Sequence, residues 1–448
     1  MKKIQISDHF SARKLFLFSL PSIGMQLVDN TYQVADGFFI SNYIGPFAFA
    51  AENLVFPVLV VVAGIGMMFG SGAAALISHS LGEGDGERAN RQLTLTMATL
   101  TALGVLVSAI LFFLIPSIVK IISASENLAE PEQVVRYCVE YGRILAVCMP
   151  FQMLSSAFHP LLIAANRPGL GLIATILNAA VNIFLDYVAV AYLGWGLRGV
   201  AIATGLAWIV SAMVPLVWFM DKKHPVHFGP FRWIGRDIGK TCYNGASEMA
   251  DTASYAVIAM LFNTQLLRYV GEFGVDAYAV SEYVSGVFLA IFIGISMSVT
   301  SVVGYHLGQG NKAELNNVRK RGIRLMAALG LMMAVVSYAL AAPVANIFVG
   351  YDPKLMTLAV EALRIIAFSY LLGGVTTFSS AFFTGMGDGT GSLFVAVLKS
   401  FAVPLIALLL LPKWLGARGI WIVTPLAEAV SLLAVIAIFL RYRKKGML

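Results

Sequence analysis

Glu140-Tyr-Gly-Arg143-Ile-Leu-Ala146 returns later in the chain as Glu361-Ala-Leu-Arg364-Ile-Ile-Ala367. Two further matches keep the same order at nearly the same offset. Leu81-Gly-Glu-Gly84 returns as Leu307-Gly-Gln-Gly310, and Leu193-Gly194, Arg198-Gly199 and Thr204 return as Leu415-Gly416, Arg418-Gly419 and Thr424. Self-similarity at one period marks a duplicated structural unit. Each copy holds six apolar runs, and an even number of crossings brings both copies into lipid from the same side. The halves are therefore expected to be parallel repeats, related by an axis along the membrane normal.

The runs themselves come from composition. Of 448 residues, 58% are hydrophobic and 12% charged, the balance of an integral membrane protein. Roughly twelve runs are long enough to cross a bilayer. They are continuous rather than alternating, and only helices or closed barrels satisfy their backbone in lipid, so the expected fold is all-α. The first half places helices at about Arg13–Ile40, Ala51–Ser78, Leu93–Ile115, Val134–Phe158, Gly169–Ala191 and Leu197–Met220. The second places them at about Thr241–Tyr269, Ala277–Tyr305, Val318–Ala341, Leu358–Phe383, Ser392–Leu411 and Ile420–Leu440. This divides the chain into an N-lobe (1–220), a basic linker (221–240), a C-lobe (241–440) and a basic tail (441–448). Gly66-Met-Met-Phe-Gly70 offers a small-xxx-small face for a close helix neighbour.

Charge reports sidedness, not nucleic acid. With the N-terminus inside, about 21 of the 31 Lys/Arg fall on the inner face and about 7 outside. Lys2, Lys3, Arg13 and Lys14 begin this inner set, and Arg441, Arg443, Lys444 and Lys445 close it. Both termini are thus expected in the cytoplasm. The first apolar run is too long for a signal peptide. Cys138, Cys148 and Cys242 match no metal or disulfide spacing. No enzyme is expected. Gly385-Met-Gly-Asp388 resembles an intramembrane protease motif, but its only partner, Tyr351-Asp352, falls on the opposite membrane face. No nucleotide-binding sequence supplies ATP as an energy source.

Acids inside such helices are costly and mark candidate sites. Asn178, Asn182 and Asp186 stand four apart, so they share one helix face. Asp36, Asp186 and Thr204 each fall about 6–10 Å from the outer end of their helices, in one layer. Carboxylates, amides and a hydroxyl suit a hard cation such as Na⁺ and equally suit a proton. Two carboxylates held close in low dielectric cannot both be charged cheaply. By the repeat offset Asp36 corresponds to Phe262, Asn182 to Ala402 and Asp186 to Ile406, so this acid layer belongs to the first half alone. Glu248, Asp251, Glu282 and Glu428 lie in second-half helices and are candidate direct contributors to the site, with interhelix hydrogen bonding as the preferred alternative role. Lys399, inside helix 11, is expected to snorkel to the cytoplasmic face.

These residues carry a family likeness. Leu20-Pro21, Asp36-Gly-Phe-Phe-Ile-Ser-Asn-Tyr-Ile-Gly45, Asn182-Ile-Phe-Leu-Asp186 and Arg198-Gly-Val-Ala-Ile-Ala-Thr204 resemble the multidrug and toxin extrusion (MATE) family, in its DinF-like prokaryotic branch. The resemblance implies a V-shaped pair of six-helix lobes with twelve transmembrane helices. It implies secondary active export of small, often cationic and amphipathic compounds against Na⁺ or H⁺, by alternating access in the cell membrane. It also implies a cation site on the residues matching Asp36, Asn182, Asp186 and Thr204, to which Asn178 adds a member of the same helix face. Pro21 matches the proline about which helix 1 is proposed to bend. No cofactor is implied beyond the coupling ion. The expected partners are small organic molecules and the lipid bilayer, for a protein acting as a monomer. The nearest alternative is a flippase-like or metabolite exporter of the same superfamily.

Overall fold

The computed structural model describes residues 4–125 and 131–447, leaving Lys2 and Lys3 of the inner basic set outside the described residues. Every regular element among the described residues is helical. In order they are α1 (Ala12–Phe39), α2 (Pro46–Gly82), α3 (Gly86–Ser125), α4 (Pro131–Ala164), α5 (Pro168–Asp186), α6 (Gly196–Met220), α7 (Gly235–Tyr269) and α8 (Glu272–Gly308). They continue with α9 (Lys312–Ala339), α10 (Ala341–Val349), α11 (Pro353–Gly385), α12 (Gly389–Val397), α13 (Val403–Leu415), α14 (Ala417–Trp421) and α15 (Val423–Lys444). Three π-helical turns, Ile40–Ile44, Tyr187–Tyr192 and Leu398–Ala402, follow α1, α5 and α12.

Ten helical stretches among the described residues are long and apolar enough to cross a bilayer. α1 and α7 are as long but more polar, since α1 carries Asp29 and Asp36 and α7 carries Asp237, Glu248 and Asp251. Together these make the twelve long stretches that the apolar runs anticipate. α2, α3, α4, α8 and α11 overrun those runs at both ends. α3 begins at Gly86 rather than near Leu93, because hydropathy registers only the lipid-thick part of a helix. α2 starts at Pro46, whose ring fits the first helical turn. α1 continues unbroken through Pro21. Asp352 and Asp388, the acids of the protease-like motif, cap α11 and α12 by accepting backbone N–H bonds.

The chain forms two compact units, Gly24–Gly245, and Met1–Ile23 with Ala246–Leu448. In the first, α2 packs tightly on α4. A Cβ on Gly66 would lie 2.5 Å from the Met153 carbonyl oxygen, and one on Gly70 would lie 2.6 Å from Ala157 Cα. α2 also meets the start of α7, where Gly72 abuts the Thr241 carbonyl and Gly245 abuts that of Met68. Small residues allow this approach, which dispersion between backbones rewards in lipid.

In the second unit the segment before α1 is tied to α9. Glu314 accepts from the Phe10 backbone N–H at 2.8 Å and from Asn317 Nδ2 at 2.8 Å, and it pairs with His9 Nδ1 at 2.6 Å. Lys399, expected to snorkel, is instead engaged within the unit. It stands about 15 Å along its helical stretch, farther than a lysine side chain extends, and pairs with Glu428 at 3.1 Å.

Repeat letters become repeat contacts. Glu140 pairs with Arg198 in one unit, and Glu361 pairs with Arg418 at 2.5 Å in the other. Arg143 lies over the Phe112 ring and Arg364 over Tyr338, each at 5.3 Å.

Candidate functional site

α5 is inverted relative to a helix of a soluble protein. Ile173, Ile176, Leu177, Ile183 and Phe184 face outward, while Thr175, Asn178, Asn182 and Asp186 are buried. A polar stripe on one side of a membrane helix must find partners on neighbouring helices. Asn182 Nδ2 donates to Thr204 Oγ1 of α6 at 3.3 Å. Asp36 of α1 stands within hydrogen-bonding range of the Asp186 carboxyl and the Asn182 amide. Asp36 is 6% exposed, and Asn182 and Asp186 are fully enclosed. Asp36, Asn182, Asp186 and Thr204 are thus brought together inside the unit Gly24–Gly245. Asn178 joins through Tyr32, which stands within hydrogen-bonding range of both Asn178 and Trp208.

The oxygens here lack donors. Asp36 Oδ1, both carboxylate oxygens of Asp186, Asn178 Oδ1 and Asn182 Oδ1 are buried without a hydrogen-bond partner among the described residues. A buried carboxylate left so costs several kcal/mol unless a positive charge or a proton joins it. The donor set of two carboxylates, two amide oxygens and a hydroxyl fits a hard monovalent cation, and two facing carboxyls fit a shared proton equally well. Among the described residues no group of three His, Cys, Asp or Glu gathers in the manner of a transition-metal centre.

Two of the π turns adjoin this site. Asp186 is the last residue of α5 before Tyr187–Tyr192, and Asp36 lies in the last turn of α1 before Ile40–Ile44. Such wide turns recur at functional positions because they offset side chains from the regular helical lattice.

Sequence reasoning missed several neighbours. Glu52 of α2 interacts electrostatically with Asp36 and Asp186, and its Oε2 is also buried without a partner. Tyr141 of α4, 2% exposed, lies within electrostatic range of Asp36, Glu52 and Asp186. Deeper along α1, Asp29 approaches His159 at 4.0 Å, and His159 Nε2 lies 3.3 Å from Thr175 Oγ1. Asp29 and Tyr32 share the face of Asp36 at helical spacing, a legible signal. Glu52 and Tyr141 carried none, since Glu52 lies within two turns of the start of α2 and Tyr141 follows the polar opening of α4.

The second-half acids occupy other surroundings. Glu428 pairs with Lys399 and accepts from Thr376, Asp251 accepts from Ser400, and Glu282 bonds Tyr278. Glu248 is half-buried, and its backbone carbonyl accepts from Thr252.

The profile of the MatE family matches residues 21–188 and 249–409. The chain is similar to the multidrug export protein MepA of Staphylococcus haemolyticus, with 22% identity over 436 residues covering 96% of this chain and 93% of that protein. It is also similar to the probable multidrug resistance protein YoeA of Bacillus subtilis, with 25% identity covering 94% and 92% of the two chains. An outward-facing multidrug resistance MATE family transporter of the MOP superfamily superposes with a TM-score of 0.88 at 22% identity, covering 99% of this chain and 98% of that one.

Proposed function

Because the chain belongs to the multidrug and toxin extrusion (MATE) family, a family of transporters and not enzymes, we propose that it exports small organic compounds by antiport. The multidrug export protein and the probable multidrug resistance protein among its relatives support drug-like organic cargo, and the buried acids favour cationic, amphipathic members of that class. Alternating access would move the lobes 1–220 and 241–440 about the linker 221–240, with both termini and the basic tail 441–448 in the cytoplasm. Lys/Arg asymmetry supports that orientation in the cell membrane. The protein works as a monomer, since each unit buries its own polar cluster.

The observation that carries this reading is the buried meeting of Asp36 and Asp186 with donor-free oxygens. Such a pair is unfavourable when both acids are charged and alone, and it is relieved by Na⁺ or by a proton. Asn182 and Asn178 add neutral oxygens, and Thr204 holds the Asn182 amide so that its oxygen faces away from the donor bond. Occupancy of the pair thereby biases the surrounding helices α1, α5 and α6. A transporter couples two gradients when the ion and the cargo prefer different conformations of the same helices.

The test is ethidium efflux from proteoliposomes under separate Na⁺ and pH gradients. Export driven by either gradient is expected, and the gradient that works identifies the ion. Efflux that ignores both gradients overturns the antiport reading.

A further inference from the structure

Two carboxylates and one ammonium meet inside the unit Ala246–Leu448. Lys399 Nζ lies 3.1 Å from Glu428 Oε1 and donates to Thr377 Oγ1 at 2.6 Å. The other Glu428 oxygen accepts from Thr376 at 2.5 Å. Ser400 Oγ donates to Asp251 Oδ1 at 2.5 Å, and Asp251 is within electrostatic range of both Lys399 and Glu428. α7, α11, α15 and the π turn Leu398–Ala402 each contribute, so this third wide turn also carries intramembrane charge. A Cβ on Gly373 would stand 3.1 Å from Glu428 Oε1, so glycine leaves this carboxylate its space.

The cluster has a closed end and an open one. Glu428 is 5% exposed, while the Lys399 side chain is 19% exposed and Asp251, Ser400 and Thr377 are half-buried. One turn beyond Glu428, Ser431 is fully buried, and its hydroxyl has no partner among the described residues. Among the described ion pairs, Lys399 pairs with Glu428 and none includes Asp251, which has Lys399 only within electrostatic range. Ionised, the three groups carry one negative charge in excess, and an uncompensated buried charge calls for a counter-charge. A bare metal ion suits the cluster poorly. Ser400 and Thr376 direct their hydrogens at the carboxylates instead of offering a ring of free oxygens.

We propose that Asp251, Lys399 and Glu428 form a cargo site for singly charged organic cations, in which Lys399 is the built-in counter-charge that sets the valence. The proposal rests on the exporter reading above. The cargo's positive centre seats at Asp251, on the open side, while the Lys399 ammonium stays paired with the enclosed Glu428. A dication would bring its second charge against the Lys399 ammonium. At separations of about 4 Å and an effective dielectric near 20, that repulsion is enough to change relative affinity by roughly tenfold or more.

Ethidium and propidium share a ring system and differ by one positive charge, so they probe valence directly. Fluorescence titration of the full-length protein in detergent is expected to show wild type preferring ethidium. Lys399→Met should shift the affinity ratio towards propidium by at least roughly tenfold. Lys399→Arg should restore the wild-type ratio, and Asp251→Asn should weaken both dyes. Lys399→Gln, which keeps a hydrogen-bond donor for Glu428, serves if the methionine variant is not monodisperse, and it should shift the ratio the same way. An unchanged ratio in the neutral variants, or an arginine variant that behaves like them, overturns the proposal. If wild-type proteoliposomes export ethidium while the ratio is unchanged, only this proposal falls. If wild type moves neither dye under any ion gradient, the exporter reading falls and takes the proposal with it.

Discussion

Asp186 shows what a functional residue costs its own fold. Its two oxygens are enclosed and receive no donor among the described residues, which is unfavourable for stability. Replacing one acid of the pair with an amide removes the electrostatic conflict and supplies a donor to the other. Asp186→Asn and Asp36→Asn are therefore expected to abolish ion-driven efflux while raising thermal stability in detergent by about 1–3 kcal/mol. A variant that kept efflux would remove its residue from the coupling site. Asn182→Ala leaves the acids in place and removes one neutral oxygen, so a partial loss is expected, roughly tenfold in coupled rate. The spacing by four of Asn178, Asn182 and Asp186 was legible in the letters. The approach of Glu52 was not, because a carboxylate six residues into a helix looks like an interfacial group until a neighbouring helix covers it.

At the scale of elements, close helix approach is bought with missing side chains. Gly72 of α2 and Gly245 of α7 each face the other helix's backbone carbonyl, and a Cβ at either position would overlap it. Gly72→Ala and Gly245→Ala are expected to destabilise the protein by about 1–3 kcal/mol each, seen as a lower midpoint of thermal aggregation in detergent. The small-xxx-small pair Gly66/Gly70 was readable from sequence, since its two positions lie on one face of one helix. The Gly72–Gly245 contact was not, since no local spacing says which helix will cross there. Glu314 is a comparable case among polar residues. Glu314→Ala would leave the Phe10 N–H without its acceptor and the Asn317 amide with the Phe10 carbonyl alone, at a cost of about 1–3 kcal/mol. Limited proteolysis of the segment before α1 is the direct measurement, and cleavage should accelerate.

For the whole molecule, the duplication is the governing fact. Its matched letters resolve into matched ion pairs, Glu140–Arg198 and Glu361–Arg418. Both arginines are largely exposed, at 67% and 73%, so each pair should contribute little despite recurring. Arg418→Ala is expected to change stability by less than about 1 kcal/mol in a denaturant titration. The halves diverge where charge enters the helices. Among the described residues the first gathers Asp36 and Asp186 without a basic partner, and the second supplies Lys399 to Glu428. Single-cysteine labelling near either terminus should report the cytoplasmic face, since basic residues resist translocation.

Hydropathy and the repeat were enough to determine a helical membrane protein of two related halves. Lipid leaves the backbone no partner but itself, so long apolar runs have one conformation open to them. The stripe on α5 and the isolated acid on α1 were equally explicit, because helical periodicity is local. The meeting of those acids, the addition of Glu52 and Tyr141, and the capture of Lys399 by Glu428 were decided only by tertiary packing. Contacts between helices depend on rotation and crossing, which arise when side chains from distant parts of the chain settle against one another.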